Sequence, residues 1–176
     1  MAEARSSVLR SRAVAFCAAF LDPTSNPPSN LIETHFMPTE PKITEHGPSW
    51  ATSRLPFLGK TFQGRKSSSA DGSSCDDYFD LLAQSLSFHP NKNTFPPAED
   101  FIVDPQAGVS GEGQQARRGG GAVSVVAHAK FASVKTGKSW EEDFIYRLSE
   151  FDDDGRIGHW EIWADPLSAW MAVEEP

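Results

Sequence analysis

At 176 residues and 19.3 kDa the chain has room for one domain with a sizeable core, expected to span residues 1–176. Its hydrophobic fraction is 39%, and only Cys17 and Cys75 are present, too few for a disulfide framework. Of the net charge of −8, most sits in residues 140–176, which hold 11 acidic and 2 basic side chains. Such an end repels phosphate backbones, so nucleic acid is not an expected partner.

No stretch approaches the ~20 apolar residues of a membrane span. Ala13–Leu21 is nearly all apolar, but Arg10 and Arg12 precede it and Asp22-Pro23 ends it. It therefore reads as a buried amphipathic helix rather than a signal peptide, and a reducing cytoplasm is the expected location. The periodicity predicts a first helix over 6–21 and a second from Asn30 to His35, with Ser29 as its cap. A short strand is expected at Lys42–Glu45, then a long irregular stretch, 47–75, whose Ser67–Ser74 part is low in complexity. A third helix is expected from Ser74 to Phe88 and a brief strand at Phe101–Val103. Residues 105–121, rich in glycine from Gly108 to Gly121, read as a flexible loop. Three long strands close the chain: Val123–Val134, Trp140–Phe151 and Arg156–Ala164, joined by tight turns. Helices first and an antiparallel meander last predict an α+β fold with the helices on one face of the sheet.

The order of two motifs within residues 6–166 resembles the nuclear transport factor 2-like (NTF2-like) superfamily, and in particular its SnoaL-like proteins. One is Phe151-x-Asp153-x-Gly155-Arg156-Ile157 with the aromatic strand His159–Asp165; the other is Lys42–Glu45 with His46-Gly47-Pro48. The resemblance implies a cone-shaped fold in which three N-terminal helices pack on a curved antiparallel sheet around an apolar pocket. It also implies cofactor-independent acid–base chemistry in some members and mere binding in others, so the fold does not decide the function.

His46 falls where steroid isomerases of that superfamily carry their carboxylate base, and imidazole suits proton transfer near neutrality. Arg147 falls where they hold a protonated acid. It can donate to an oxyanion, and Asp143 shares its strand face. Two faces of that strand compete for the pocket: Asp143, Ile145 and Arg147 form one, while Phe144, Tyr146 and Leu148 form the other and are more apolar. Glu45 points to the face opposite His46 in an extended segment. Trp50, Phe57, Tyr78, Phe79, Ile145, Trp160 and Ile162 are the expected substrate-binding residues, with Trp160 as a flat wall for a polycyclic ligand. Pro56-Phe57-Leu58 is the apolar tip of a candidate lid. His128 is expected to lie in solvent. No His/Cys cluster has metal-ligand spacing, and no phosphate cradle or nucleophile elbow is present, so neither metal nor cofactor is expected.

The leading expectation is an isomerase, cyclase or dehydratase acting on a hydrophobic oxygenated small molecule such as a polyketide or terpenoid intermediate. The alternative is a non-catalytic ligand-binding or dimerisation module, with a homodimer formed through the outer sheet face.

Overall fold

The computed structural model describes residues 2–66, 72–108 and 120–174. Helix α1 (Ala2–Ala19) is followed by α2 (Pro28–His35), strand β1 (Lys42–His46) and a 3₁₀ turn at Ser49–Ser53. Strand β2 (Thr61–Gln63), helix α3 (Cys75–Ser85), β3 (Leu86–His89) and β4 (Ile102–Asp104) come next. Long strands β5 (Ala122–Ser133) and β6 (Ser139–Ser149) lead to β7 (His159–Trp163) and a last helix, α4 (Pro166–Ala172).

The strands form one sheet in the order β2-β1-β7-β6-β5-β3, with β4 also paired to β5. The sheet is mixed rather than antiparallel, because β1 runs parallel to β7 with Ile43 opposite Trp160 and Glu45 opposite Ile162. Joining distant segments in this way needs a crossover, and nearly the whole chain between β1 and β7 supplies it. Among the described residues the helices are four: α4 follows the sheet, and β1 and β2 separate α2 from α3. The expected third helix stops at Ser85. Leu86–His89 instead pairs with Lys130–Ser133, so its apolar residues are taken up by the edge of β5. A strand at 61–63 was not expected from its short, polar sequence. Phe62, fully buried opposite Ile43, is what fixes it. The 156–158 part of the expected last strand is a turn and an isolated bridge, Ile157 to Phe36. The expected low-complexity run and glycine-rich loop lie largely outside the described residues, at 67–71 and 109–119.

Local chemistry accounts for the helix ends. Ser74 caps α3 reciprocally: Asp77 N–H donates to Ser74 Oγ, and Ser74 N–H donates to Asp77 Oδ2 at 3.0 Å. At α2 the cap is Pro27 rather than Ser29, with Pro28 at the first helical position, where its missing N–H costs nothing. Asp165 caps α4 by accepting from Leu167 N and Ser168 N. Strand alternation turns Val123, Val125, Ala127 and Ala129 of β5, Phe144, Tyr146 and Leu148 of β6, and Trp160 and Ile162 of β7 toward the helices. Cys17 is buried, as expected, and Cys75 is too; burial raises both thiols, that of Cys75 to about 12, so both behave as core residues.

Gly158 marks where β7 must pass closest to β6: a Cβ there would collide with the carbonyl oxygen of Glu150. Since backbone cannot yield as a side-chain tip does, Gly158→Ala is expected to cost about 2 kcal/mol. Thermal unfolding would show this as a fall of about 5 °C, and an unchanged melting temperature would mean the strands can part there freely.

Candidate functional site

The alternation that builds the core also turns one acid inward. In β1 the apolar residue is Ile43, fully buried, so Ile43 and Glu45 share the inner face, and Lys42, Thr44 and His46 the outer. Glu45 is 7% exposed. It stands in a cavity of about 80 Å³ walled by Leu55, Phe57, Tyr78, Tyr146, Trp160 and Ile162. Tyr78 Oη–H donates to Glu45 Oε2 at 2.6 Å.

Burial pushes the Glu45 carboxyl up to about 7, the Tyr78 hydrogen bond opposes this, and the charge of Glu142 adds to it. Glu142 lies at the β6 side of the same cavity. Its carboxyl is also raised by burial, and its Oε2 accepts from Asp165 N at 3.0 Å. Burial raises the Tyr146 hydroxyl well above its ordinary value, so it stays a donor, and no hydrogen bond engages it among the described residues. Trp160 Nε1 is a buried donor without a partner among the described residues. The carboxyls of Glu45 and Glu142, both raised by burial, thus border one largely apolar cavity together with Tyr78, Tyr146 and Trp160. That set can take up or deliver one proton and hydrogen-bond one oxygen.

Of the residues expected to carry the chemistry, His46 reaches the rim of this cavity and Arg147 and Asp143 do not. His46 borders the cavity beside Glu45, but its ring stacks on Trp163 at 4.1 Å and its Nε2 lies 3.2 Å from Glu161 Oε1. Arg147 pairs with the same Glu161 and donates to Ser149 Oγ. Asp143 is exposed and pairs with His128 at 2.8 Å. All three lie on the outer face, because Phe144, Tyr146 and Leu148 bury far more apolar surface than the alternate set would.

Among the expected binding residues, Phe57, Tyr78, Trp160 and Ile162 line the cavity. Phe79 is buried behind Trp160 at 6.1 Å. Trp50 is exposed and packs edge-on against Trp170, and Ile145 is exposed on the outer face. The Pro56–Leu58 segment is core rather than a projecting tip, with Phe57 1% exposed. At about 80 Å³ the cavity holds several waters or a small head group, not a polycyclic ligand, since the ring of Trp160 fills the space it was expected to border.

Among the described residues no group of three or more His, Cys, Asp or Glu side chains could hold a metal ion. Also among them, no helix is long and apolar enough to cross a membrane.

The backbone is that of the NTF2-like fold. It is similar to a solved NTF2-like protein of unknown function from Burkholderia pseudomallei, with 14% identity over 93% of this chain and 98% of that one, TM-score 0.55. A candidate isomerase from Bacillus subtilis is 16% identical over 92% of each chain, TM-score 0.55. A candidate SnoaL-like polyketide cyclase from Jannaschia sp. is 12% identical over 94% of each chain, TM-score 0.51. No protein-family model and no curated protein matches the sequence.

The raised carboxyl has a consequence for stability. An unfolded Glu45 ionises at about 4.5 and the folded one at about 7, so between those values the folded state binds the extra proton. Stability therefore falls as pH rises through that window, by about 3 kcal/mol, and is level above it. Glu45→Gln cannot ionise and lacks this fall. Urea midpoints of the two proteins should draw apart between about pH 4 and about pH 8, in favour of the variant. A constant difference would mean that the carboxyl ionises as readily folded as unfolded.

Proposed function

We propose that the protein is a cofactor-independent acid–base enzyme of the isomerase or cyclase type, in which Glu45 moves the proton. The observation that carries this reading is a buried carboxyl, held by Tyr78 and raised to about 7, facing an apolar cavity. The candidate isomerase and polyketide cyclase names among similar folds support it. As carboxylate, Glu45 takes a proton from carbon next to a carbonyl, and the C–H electron pair passes into the enolate. Tyr146 Oη–H donates to the enolate oxygen. Where a C=C bond adjoins that carbon the enolate is a dienolate, and the proton held on Glu45 returns at its far end, which completes an isomerisation with no net change of atoms. Dryness strengthens both interactions, and Tyr78 positions the carboxyl without giving up its own proton, since burial and the neighbouring charge raise its hydroxyl well above the ordinary value.

Cyclohexanone in heavy water tests the proton step without knowledge of the natural substrate. Proton NMR should show α-deuterium uptake that rises as pH passes about 7. Glu45→Gln should slow it at least about a hundredfold and Tyr146→Phe about tenfold or more, while His46→Ala leaves it unchanged. Exchange that survives Glu45→Gln overturns the assignment.

One observation favours a second, compatible property. Val126, Ile145 and Trp163 are opposite one another across β5, β6 and β7 and form an exposed apolar row on the outer face. We infer that two copies of the chain pair through this row. Sedimentation should give a dimer that Ile145→Glu converts to monomer, and a monomeric parent protein would refute the pairing.

A further inference from the structure

A second apolar space lies on the helical side of the cavity, and the Glu45 site makes no use of it. This groove measures about 260 Å³ and is bordered by Pro23, Pro28 and Leu31 near α2 and by Phe79 and Ala83 of α3. Phe20, Leu82, Leu86, Phe88 and Phe131 line both the groove and the Glu45 cavity, so the same side chains form the partition between them.

The partition is made of rings in edge contacts. Phe20, one residue past the end of α1, meets Phe88 at 6.3 Å with the rings near perpendicular, and Phe88 tilts on Phe131 at 5.3 Å. Phe20 is half-buried and free of helical rotamer restrictions. The two spaces are therefore separated by side chains alone. Neither space alone reaches the ~300–1,000 Å³ usual for a ligand site, and the two together do. No charged side chain borders the groove, and Asn26 is its one polar side chain, so its occupant is apolar.

We propose that the groove is the tail subsite of the enzyme: the ligand is amphiphilic, with a small oxygenated head at Glu45 and Tyr146 and an apolar tail that passes between Phe20 and Phe88 into the groove. The proposal rests on the acid–base reading of the cavity. It commits to a ligand tail rather than a protein segment because the groove is continuous with the site through a shared wall.

Phenol, 4-propylphenol and 4-hexylphenol serve as probes, with dissociation constants measured by calorimetry on the full chain. Affinity should rise with tail length, by up to about fourfold per buried methylene. Ala83 is exposed on α3 and lines the groove but not the inner cavity, so Ala83→Trp obstructs the groove from outside. It should weaken hexylphenol at least about tenfold and leave phenol unchanged, and the retained phenol binding shows that the variant is folded. Equal affinity across the series, or a loss in Ala83→Trp that is the same for all three, overturns the tail subsite. Failure of the acid–base reading shows differently. If phenol affinity is indifferent to Glu45→Gln while the tail increments persist, the head assignment falls and the apolar subsite stands.

Discussion

Trp160 is the side chain on which helices and sheet converge. Phe16 and Phe20 reach its ring from α1 and the turn after it at 5.2 and 5.3 Å, Tyr78 and Phe79 from α3 at 6.0 and 6.1 Å, and Tyr146 from β6 at 4.9 Å. The pairs with Phe16, Tyr78 and Tyr146 are edge-to-face and those with Phe20 and Phe79 tilted. Aromatic pairs add ~0.5–1.5 kcal/mol each beyond the area they bury, so they fix how the helices sit as well as that they sit. Trp160 also lies opposite Ile43 in the parallel β1–β7 pair, which sets the depth at which Glu45 enters the interior. Rings that meet on edge do not fill space as aliphatic side chains do. The remainder, between the cluster and the Leu55–Leu58 segment, is the cavity.

The two sheet faces treat their acids in opposite ways. On the outer face Glu161 is flanked by Arg147 and His46, so its charge is compensated within hydrogen-bond reach. On the inner face Glu45 has one neutral donor, and the Tyr78 hydrogen bond does not offset the loss of hydration, which is why the carboxyl rises. A fold selected for stability alone would place an apolar residue at position 45. Retaining a carboxylic acid in the aromatic interior costs free energy, which marks the position as a candidate site rather than a packing position.

Most of the architecture was legible because long alternating strands and periodic helices carry it: β5, β6 and α1 fall within a few residues of their expected bounds. The short β2 was not legible, since its pairing depends on one buried residue, Phe62, far from its partner in sequence. Leu86–His89 has the same composition in a strand as in a helix end, and only the free edge of β5 decides between them. The expected site and the structure part over which faces of β1 and β6 turn inward. Apolar alternation in Ile43 already assigns Glu45 to the inside and His46 to the outside, as Phe144, Tyr146 and Leu148 assign Arg147 to the outside. Positional likeness to relatives singles out His46 and Arg147, whereas alternation within the chain turns Glu45 and Tyr146 inward. Nothing local in the sequence marks Tyr78 as the partner of Glu45, because α3 and β1 meet only in the folded chain.

Helix α4 joins the interior through its buried Ala169 and Ala172 and is also tied at the surface. Thr136 in the β5–β6 turn donates to the carbonyl of Ala172, and Arg54 lies over the ring of Trp170 and pairs with Glu174, so the helix is fastened at its rim. Pro166 and Ala169 nevertheless line the cavity. One wall of the cavity is therefore supplied by a helix that joins the core through Ala169 and is tied at the surface through Ala172 and Trp170. Changes in its length or sequence can reshape the chamber while the Trp160 cluster, and with it the fold, is left intact. A cavity walled in this way can change shape from the α4 side alone, with Glu45 and Tyr78 left where they are.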